Sequence, residues 1–289
     1  MNTTKTIARP IAAQEEAQAA IPAARQPAYK PRKKTQSKWS NWLIGLILPV
    51  VVLIGWQVAG NMDLISKNLL PTPYAIGSSF VDLAKSGDLF KHLKISVQRA
   101  AIGFLLGGGL GLLFGMASGL LRRVEQTVDP SIQMLRMIPH LAITPLFILW
   151  FGFGELSKIL LIAKGAFFPL YVNTFLGIRN SDAKLFDVAR VLEFSRWKQI
   201  TRLVIPSALP NVLLGLRLSL GVAWLGLVVA ELMGSSEGVG YLIMDARQFN
   251  QTSVVFVGII IFAAVGTATD SLVKFLEKKL LRWRDSYKG

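Results

Sequence analysis

Long apolar runs separated by short polar islands pattern the chain from residue 42 to residue 273. Five runs, at 42–60, 101–121, 159–176, 212–232 and 253–273, each approach the roughly 20 apolar residues that cross a hydrocarbon core. A sixth is interrupted: 129–137, then Ile138-Pro139-His140, then 141–151 with Pro145 inside it. At about 1.5 Å per residue its two halves together make one crossing. The pattern predicts an all-α, polytopic membrane protein with six transmembrane helices. It divides into a basic, disordered cytoplasmic tail (1–39), a first transmembrane helix (40–62), a five-helix core (89–277) and a second basic tail (278–289). Between 62 and 89, Pro71 and Pro73 forbid regular helix, and a short amphipathic segment follows at 74–85.

Charge sets the orientation. Lys30, Arg32, Lys33, Lys34 and Lys38 precede the first run, and Lys274, Lys278, Lys279, Arg282 and Arg284 follow the last. Cations next to short spans stay on the cytoplasmic side, so both termini are expected inside an inner, cytoplasmic membrane, near anionic lipid. A net charge of +15 would also suit nucleic acid, but the basic residues sit at the ends of apolar runs rather than on a soluble face. Topology explains them, and no nucleic-acid partner is expected. Residues 1–38 lack the apolar stretch of a secretory signal. With no cysteine and only His92 and His140, the chain offers no thiolate metal site, no metal-ligand spacing and no nucleophile–base pair. No catalytic residue and no metal are expected. A Gly-x-x-x-x-Gly-Lys-[Ser/Thr] loop is also missing, so the chain lacks the usual means of binding ATP.

Three features stand out inside the runs. Gly103, Gly107, Gly111, Gly115 and Gly119 recur every four residues. Such a stripe winds slowly around its helix and lets another helix approach closely, either as plain packing or as a sliding surface. Pro139 and His140 break a helix at membrane depth, which is tolerated around a cavity or as a kink packed inside the bundle. Arg136, Lys164 and Arg217 lie within or near the spans, where cations cost several kcal/mol unless paired or hydrated. They suggest a path for an anion through Arg136, Pro139, His140 and Arg217. Snorkelling competes for Lys164 and Arg136, while Arg217 is the hardest to dismiss.

One polar island, 180–211, is different from the rest. Its apolar residues recur at helical spacing, predicting one or two short amphipathic helices closed by Pro206 and Pro210. Asp187-Val188-Ala189, then Glu193, then Leu203-Val204-Ile205-Pro206 resembles the Glu-Ala-Ala loop of binding-protein-dependent ABC import permeases of type I. In that family the loop is a coupling helix docked on a separate ATPase. The resemblance implies coupling roles for Asp187, Ala189, Arg190, Glu193, Pro206 and Pro210, with Ala189 on the small face that docks. Glu193 stands where the signature has glycine. Glycine permits a φ > 0 bend between two helices, whereas glutamate favours a straighter path.

Within that family the chain resembles the permeases for aliphatic sulfonates, through LLPTP (69–73), SIQMLRMIPHLAITPLFILWFG (131–152), FPLYVNTFLGIRN (168–180) and MDARQFNQTSVV (244–255). Taurine and nitrate permeases are similar too, but they typically carry Pro-Leu-Ala-Trp where Pro139-His140-Leu141-Ala142 stands here. The resemblance implies the type I permease fold and a homodimer without a cofactor of its own. A dimer of ATPase subunits would hold ATP and Mg, and a periplasmic binding protein would deliver substrate. Taurine, nitrate or bicarbonate are alternative cargoes. An ion-coupled secondary carrier is the alternative from another class, and it would need no ATPase.

Overall fold

Every regular element among the described residues of this computed structural model, 38–181 and 183–281, is helical. In chain order they are α1 (Lys38–Asn61), α2 (Pro73–Ser86), α3 (Asp88–Leu120), α4 (Arg122–Arg136), α5 (His140–Phe151), α6 (Glu155–Arg179), α7 (Ala183–Val191) and α8 (Arg196–Gln199). A π-helical turn (Ile200–Val204), α9 (Ile205–Gly234), α10 (Val239–Gln248) and α11 (Thr252–Leu280) complete the chain. The chain divides between Val51 and Val52, and the packing below lies within residues 52–289. Both basic tails, save for the first residues of each flank, lie outside the described residues.

Among the described residues, four helical stretches are long and apolar enough to cross a membrane: α3, α6, the continuous Arg196–Gly234 helix and α11. The broken element is a fifth only if α4 and α5 count as one span, and they meet at 98°. The expected single crossing therefore does not form a rod. Arg122, Arg123, Glu125, Asp129 and Arg136 make α4 an amphipathic helix, which leaves the 12 residues of α5, apolar but for His140 and Thr144, as the apolar half. The remaining expected span is α1, whose described side chains over Ile47–Asn61 are apolar but for Gln57 and Asn61, a stretch shorter than the others.

Two helices begin earlier than their apolar runs. α3 starts at Asp88 rather than near 101, and α6 at Glu155 rather than 159. The added turns carry Ser96 and Arg99 in α3 and Glu155 in α6, whose partners come from other helices, a signal that hydropathy does not carry. The amphipathic segment after the prolines forms as expected. Thr72 caps α2 by accepting the Ala75 N–H at 3.3 Å, and Pro73 opens the helix where its missing N–H costs nothing.

α6 is the hub. α3 lies along one side of it and α9 along another. All five glycines of the stripe are buried against α6. A Cβ on Gly107 would run into the Ala163 carbonyl and one on Gly111 into the Phe167 carbonyl, so helix backbones touch there with nothing between. Further along, a Cβ on Gly115 would lie 2.8 Å from Thr174 and one on Gly119 2.8 Å from Ile178. Partner numbers rise with glycine numbers, so α3 and α6 run parallel. Against α9 the order reverses: Gly165 meets Val222, Gly215 meets Asn173, and Gly177 meets Asn211 and Ala208. In lipid, where apolar burial gives no drive between helices, such close contact supplies the attraction. An apolar core of Ile162, Ala166, Ala223, Leu227, Val257 and Ile261 ties α6, α9 and α11 together.

Candidate functional site

The 180–211 island folds as two helical arms with a bend between them. α7 ends in a left-handed cap: the Glu193 N–H donates to Arg190 O at 3.1 Å and the Phe194 N–H to Ala189 O at 2.9 Å. This pairing needs a left-handed residue at the corner, and Glu193 takes it with φ +51°. The straighter path expected for glutamate is thus not followed; the bend forms without glycine, at a cost of about 1 kcal/mol. Ser195 then caps the next arm, its Oγ accepting the Lys198 N–H at 3.4 Å.

That arm does not stop at the prolines. α8, the π turn and α9 form one helix of 39 residues. Pro206 lacks an N–H and its ring would press on the carbonyl four residues back. The wider π turn, in which the Ile205 N–H reaches Ile200 O, lies just where that ring needs room. Pro206 and Pro210 therefore shape the start of the span rather than close the loop.

Side-chain exposure also differs from expectation. Ala189 is 1% exposed, turned into the chain itself. The surface of the arms instead presents Val188, Val191, Leu192 and Trp197, with Val191 82% and Trp197 74% exposed. Asp187 and Arg190 flank this patch and pair loosely at 3.6 Å. Bulky apolar side chains standing out from a polar loop form the kind of patch at which proteins meet another protein or a membrane.

A second site lies deeper, at the α4–α5 break. Met137, Ile138 and Pro139 leave the helical path, and Pro139 turns extended before α5 starts at His140. A cavity of about 460 Å³ opens there, lined by Arg136, Pro139, His140, Lys164, Phe168 and Asn173, with Val172, Leu218 and Val222 as apolar wall. The His140 ring fits between two helices because both carry glycine: a Cβ on Gly226 would lie 2.8 Å from its Nε2, and one on Gly165 3.4 Å from its Cε1. Nε2 is buried with no hydrogen-bond partner among the described residues. Lys164 Nζ donates to the Ile138 carbonyl, freed by the break, at 3.2 Å, and sits 5.9 Å from the Phe168 ring centre.

Arg136, Pro139 and His140 thus come together as expected, but Arg217 does not join them. Arg217 Nε donates to Asp270 Oδ1 at 2.6 Å, and Lys274 holds the other carboxylate oxygen at 2.7 Å. Lys164, the cation more easily set aside from sequence, takes the cavity position. Hydropathy ranks both alike, because Asp270 is 53 positions from Arg217.

A third cluster escaped sequence reasoning. At the end of the bundle opposite the α7 loop, Arg99 (4% exposed) forks onto Glu155 with two 2.6 Å contacts and reaches Glu231 at 2.9 Å. Glu231 (1% exposed) also accepts from Ser96 Oγ at 2.8 Å and from the Gly240 N–H at 2.9 Å. Lys158 completes the group at 3.1 Å from Glu155. The network joins α3, α6, α9 and α10, and its two cations balance two carboxylates. The one available signal was an acid and a base placed near the ends of spans that run in opposite directions.

The helical hub, the bent loop and the broken helix are those of a transport-system membrane subunit. Residues 107–282 match the family described as binding-protein-dependent transport system inner membrane component, and the chain belongs to that family. It is 64% identical over 258 residues to the protein of Bacillus subtilis (strain 168) named aliphatic sulfonates transport permease protein SsuC, covering 89% of this chain and 94% of that one. The Escherichia coli (strain K12) protein of the same name is 45% identical, with 86% and 95% covered. The taurine transport system permease protein TauC of that strain is 33% identical, with 82% and 87% covered. Among solved structures, an amino acid ABC transporter crystallised with histidines superposes with a TM-score of 0.54 over 69% of this chain and 98% of its own, at 18% identity, a likeness of fold.

Proposed function

We propose that the chain is the translocation subunit of an ATP-driven importer for aliphatic sulfonates in the cell inner membrane, with both termini cytoplasmic. The single observation that carries the cargo is the 64% identity to the sulfonate permease over nearly the whole of both chains. The cavity's chemistry supports it: Arg136 and Lys164 line it, and among the described residues no carboxylate does. Taurine would bring an ammonium with no carboxylate among the described residues to receive it, and bicarbonate would leave the apolar wall without a role. A plain alkanesulfonate uses both.

In this reading the α7 loop faces the cytoplasm and docks on an ATPase subunit through Val188, Val191, Leu192 and Trp197. Ala189, Glu193, Pro206 and Pro210 hold the loop's shape, and Asp187 and Arg190 border the contact. ATP and Mg belong to that partner. A periplasmic binding protein delivers substrate at the opposite end. A second copy of the chain closes the path by two-fold symmetry. Arg136, Pro139 and His140 line the path itself, near its middle, where broken helices of transporters place their sites.

Two measurements test the proposal. Cells lacking the chain should lose growth on ethanesulfonate as sole sulfur source and regain it with the chain restored. The chain should also copurify with an ATPase. Restored growth on taurine alone would replace the cargo, and uptake that persists without any ATPase would replace the mechanism.

A further inference from the structure

Cations on the helices of this bundle differ in what they hold. Arg99 and Lys158 share Glu155 and Glu231, Arg217 holds Asp270, and Arg179 holds Glu125. Lys164, half-buried, and Arg136, exposed, hold no carboxylate among the described residues, and both line the same cavity at the α4–α5 break. A half-buried ammonium at the middle of a span, left without a counter-charge, is the arrangement expected where the counter-charge arrives as a ligand.

We propose that this cavity is the sulfonate subsite of the translocation path, with Lys164 as its charge-bearing contact. The inference rests on the importer reading above. Lys164 has three N–H donors and spends one on the Ile138 carbonyl, at 3.2 Å. Two remain for the oxygens of a sulfonate, which stays anionic at any physiological pH. Arg136 adds positive potential at the same cavity. Phe168, Val172 and Leu218 offer an apolar wall to the alkyl part, and a volume of about 460 Å³ holds a short chain with water to spare. Lysine suits transit better than arginine would. It is a compact, strongly hydrated point charge rather than a two-pronged fork, so it attracts the anion without fixing it. The helix break matters for the same reason: the Ile138 carbonyl, released from its ladder next to Pro139, steadies Lys164 when no anion is present.

The test uses the complete transporter, with its ATPase and binding protein, in phosphatidylcholine proteoliposomes, so that no anionic lipid competes. Ethanesulfonate uptake per ATP hydrolysed is compared for the parent, Lys164→Met and Lys164→Arg. We expect about a tenfold loss in Lys164→Met and a smaller loss in Lys164→Arg, because charge is kept. Excess ethanesulfonate should also shield Lys164 from acylation in the parent complex. Equal loss in both variants would mean that the side chain only packs, and would overturn the subsite. Parental uptake by Lys164→Met would overturn it as well, with the importer role intact. A parent complex that hydrolyses ATP with its loaded binding protein yet takes up no ethanesulfonate would overturn the cargo reading, and this subsite with it.

Discussion

The Arg99–Glu231 network and the Lys164 cavity are both places where charge enters an apolar bundle, and they treat it in opposite ways. In the first, two cations meet two carboxylates and the remaining lone pairs are filled by Ser96 and the Gly240 N–H. Everything is satisfied internally, so nothing is left for a ligand to do. In the second, Lys164 is steadied by one carbonyl and the buried Nε2 of His140 has no partner among the described residues. Compensated charge holds helices in place; uncompensated charge lowers stability and is kept where function needs it. The comparison predicts that substitutions in the first region weaken the fold, and that substitutions in the second weaken transport while sparing the fold.

The largest effect is expected at Arg99. Arg99→Met strands Glu231 and Glu155, and breaking a buried pair from one side costs about 3–5 kcal/mol. Thermal unfolding of the detergent-solubilised chain should drop sharply, and the double variant Arg99→Met/Glu231→Gln should recover part of the loss. If the single variant melts like the parent, the network does not brace the bundle.

Gly111→Leu comes next. Overpacking usually costs about 1–3 kcal/mol, and here the added side chain meets the Phe167 backbone, which cannot rotate away. Assembly should suffer together with stability. Unchanged melting would mean that α3 can slide along α6, the other role considered for the stripe.

Trp197→Asp should leave melting alone and weaken copurification with the ATPase by about 30-fold, near 2 kcal/mol, as expected for a central aromatic anchor. Ala189→Asp should instead damage the loop's own fold, because Ala189 is buried within the chain. Pull-down and melting measured on both variants separate the two outcomes.

For Lys164→Met the sign should reverse. Removing an uncompensated cation should raise stability by about 1 kcal/mol while transport falls. A variant less stable than the parent would place Lys164 with the bracing charges and erase the contrast. The smallest gain is expected from Glu193→Gly, which relieves a left-handed non-glycine corner worth about 1 kcal/mol, less the added freedom of the unfolded chain. Transport should survive it. A severe loss would show that Glu193 makes a contact of its own on the partner.

What sequence by itself determined here was local. Apolar runs mark α3, α6, α9 and α11 because each spans lipid by its own hydropathy, and Pro139 breaks its helix for steric reasons confined to a few residues. The glycine stripe announced a close helix contact because four-residue spacing nearly repeats one face. The polar island announced short amphipathic helices through a signature only about twenty residues long, but not the bend at Glu193.

Tertiary structure decided whatever required knowing which faces meet. Arg217 and Lys164 are equivalent as cations in apolar runs, and only the approach of α11 gives Asp270 to one and leaves the other at the cavity. Arg99 and Glu231 lie 132 positions apart, each at the edge of a different span, so neither announces the other. The position of Ala189 inside the loop, with Val191 and Trp197 outside, depended on the left-handed corner at Glu193, where the signature's glycine is absent but its geometry persists. Hydropathy is a property of single residues summed along the chain. Charge compensation is a property of pairs, and in a helical bundle the pairs are chosen by rotation and register, which only packing sets.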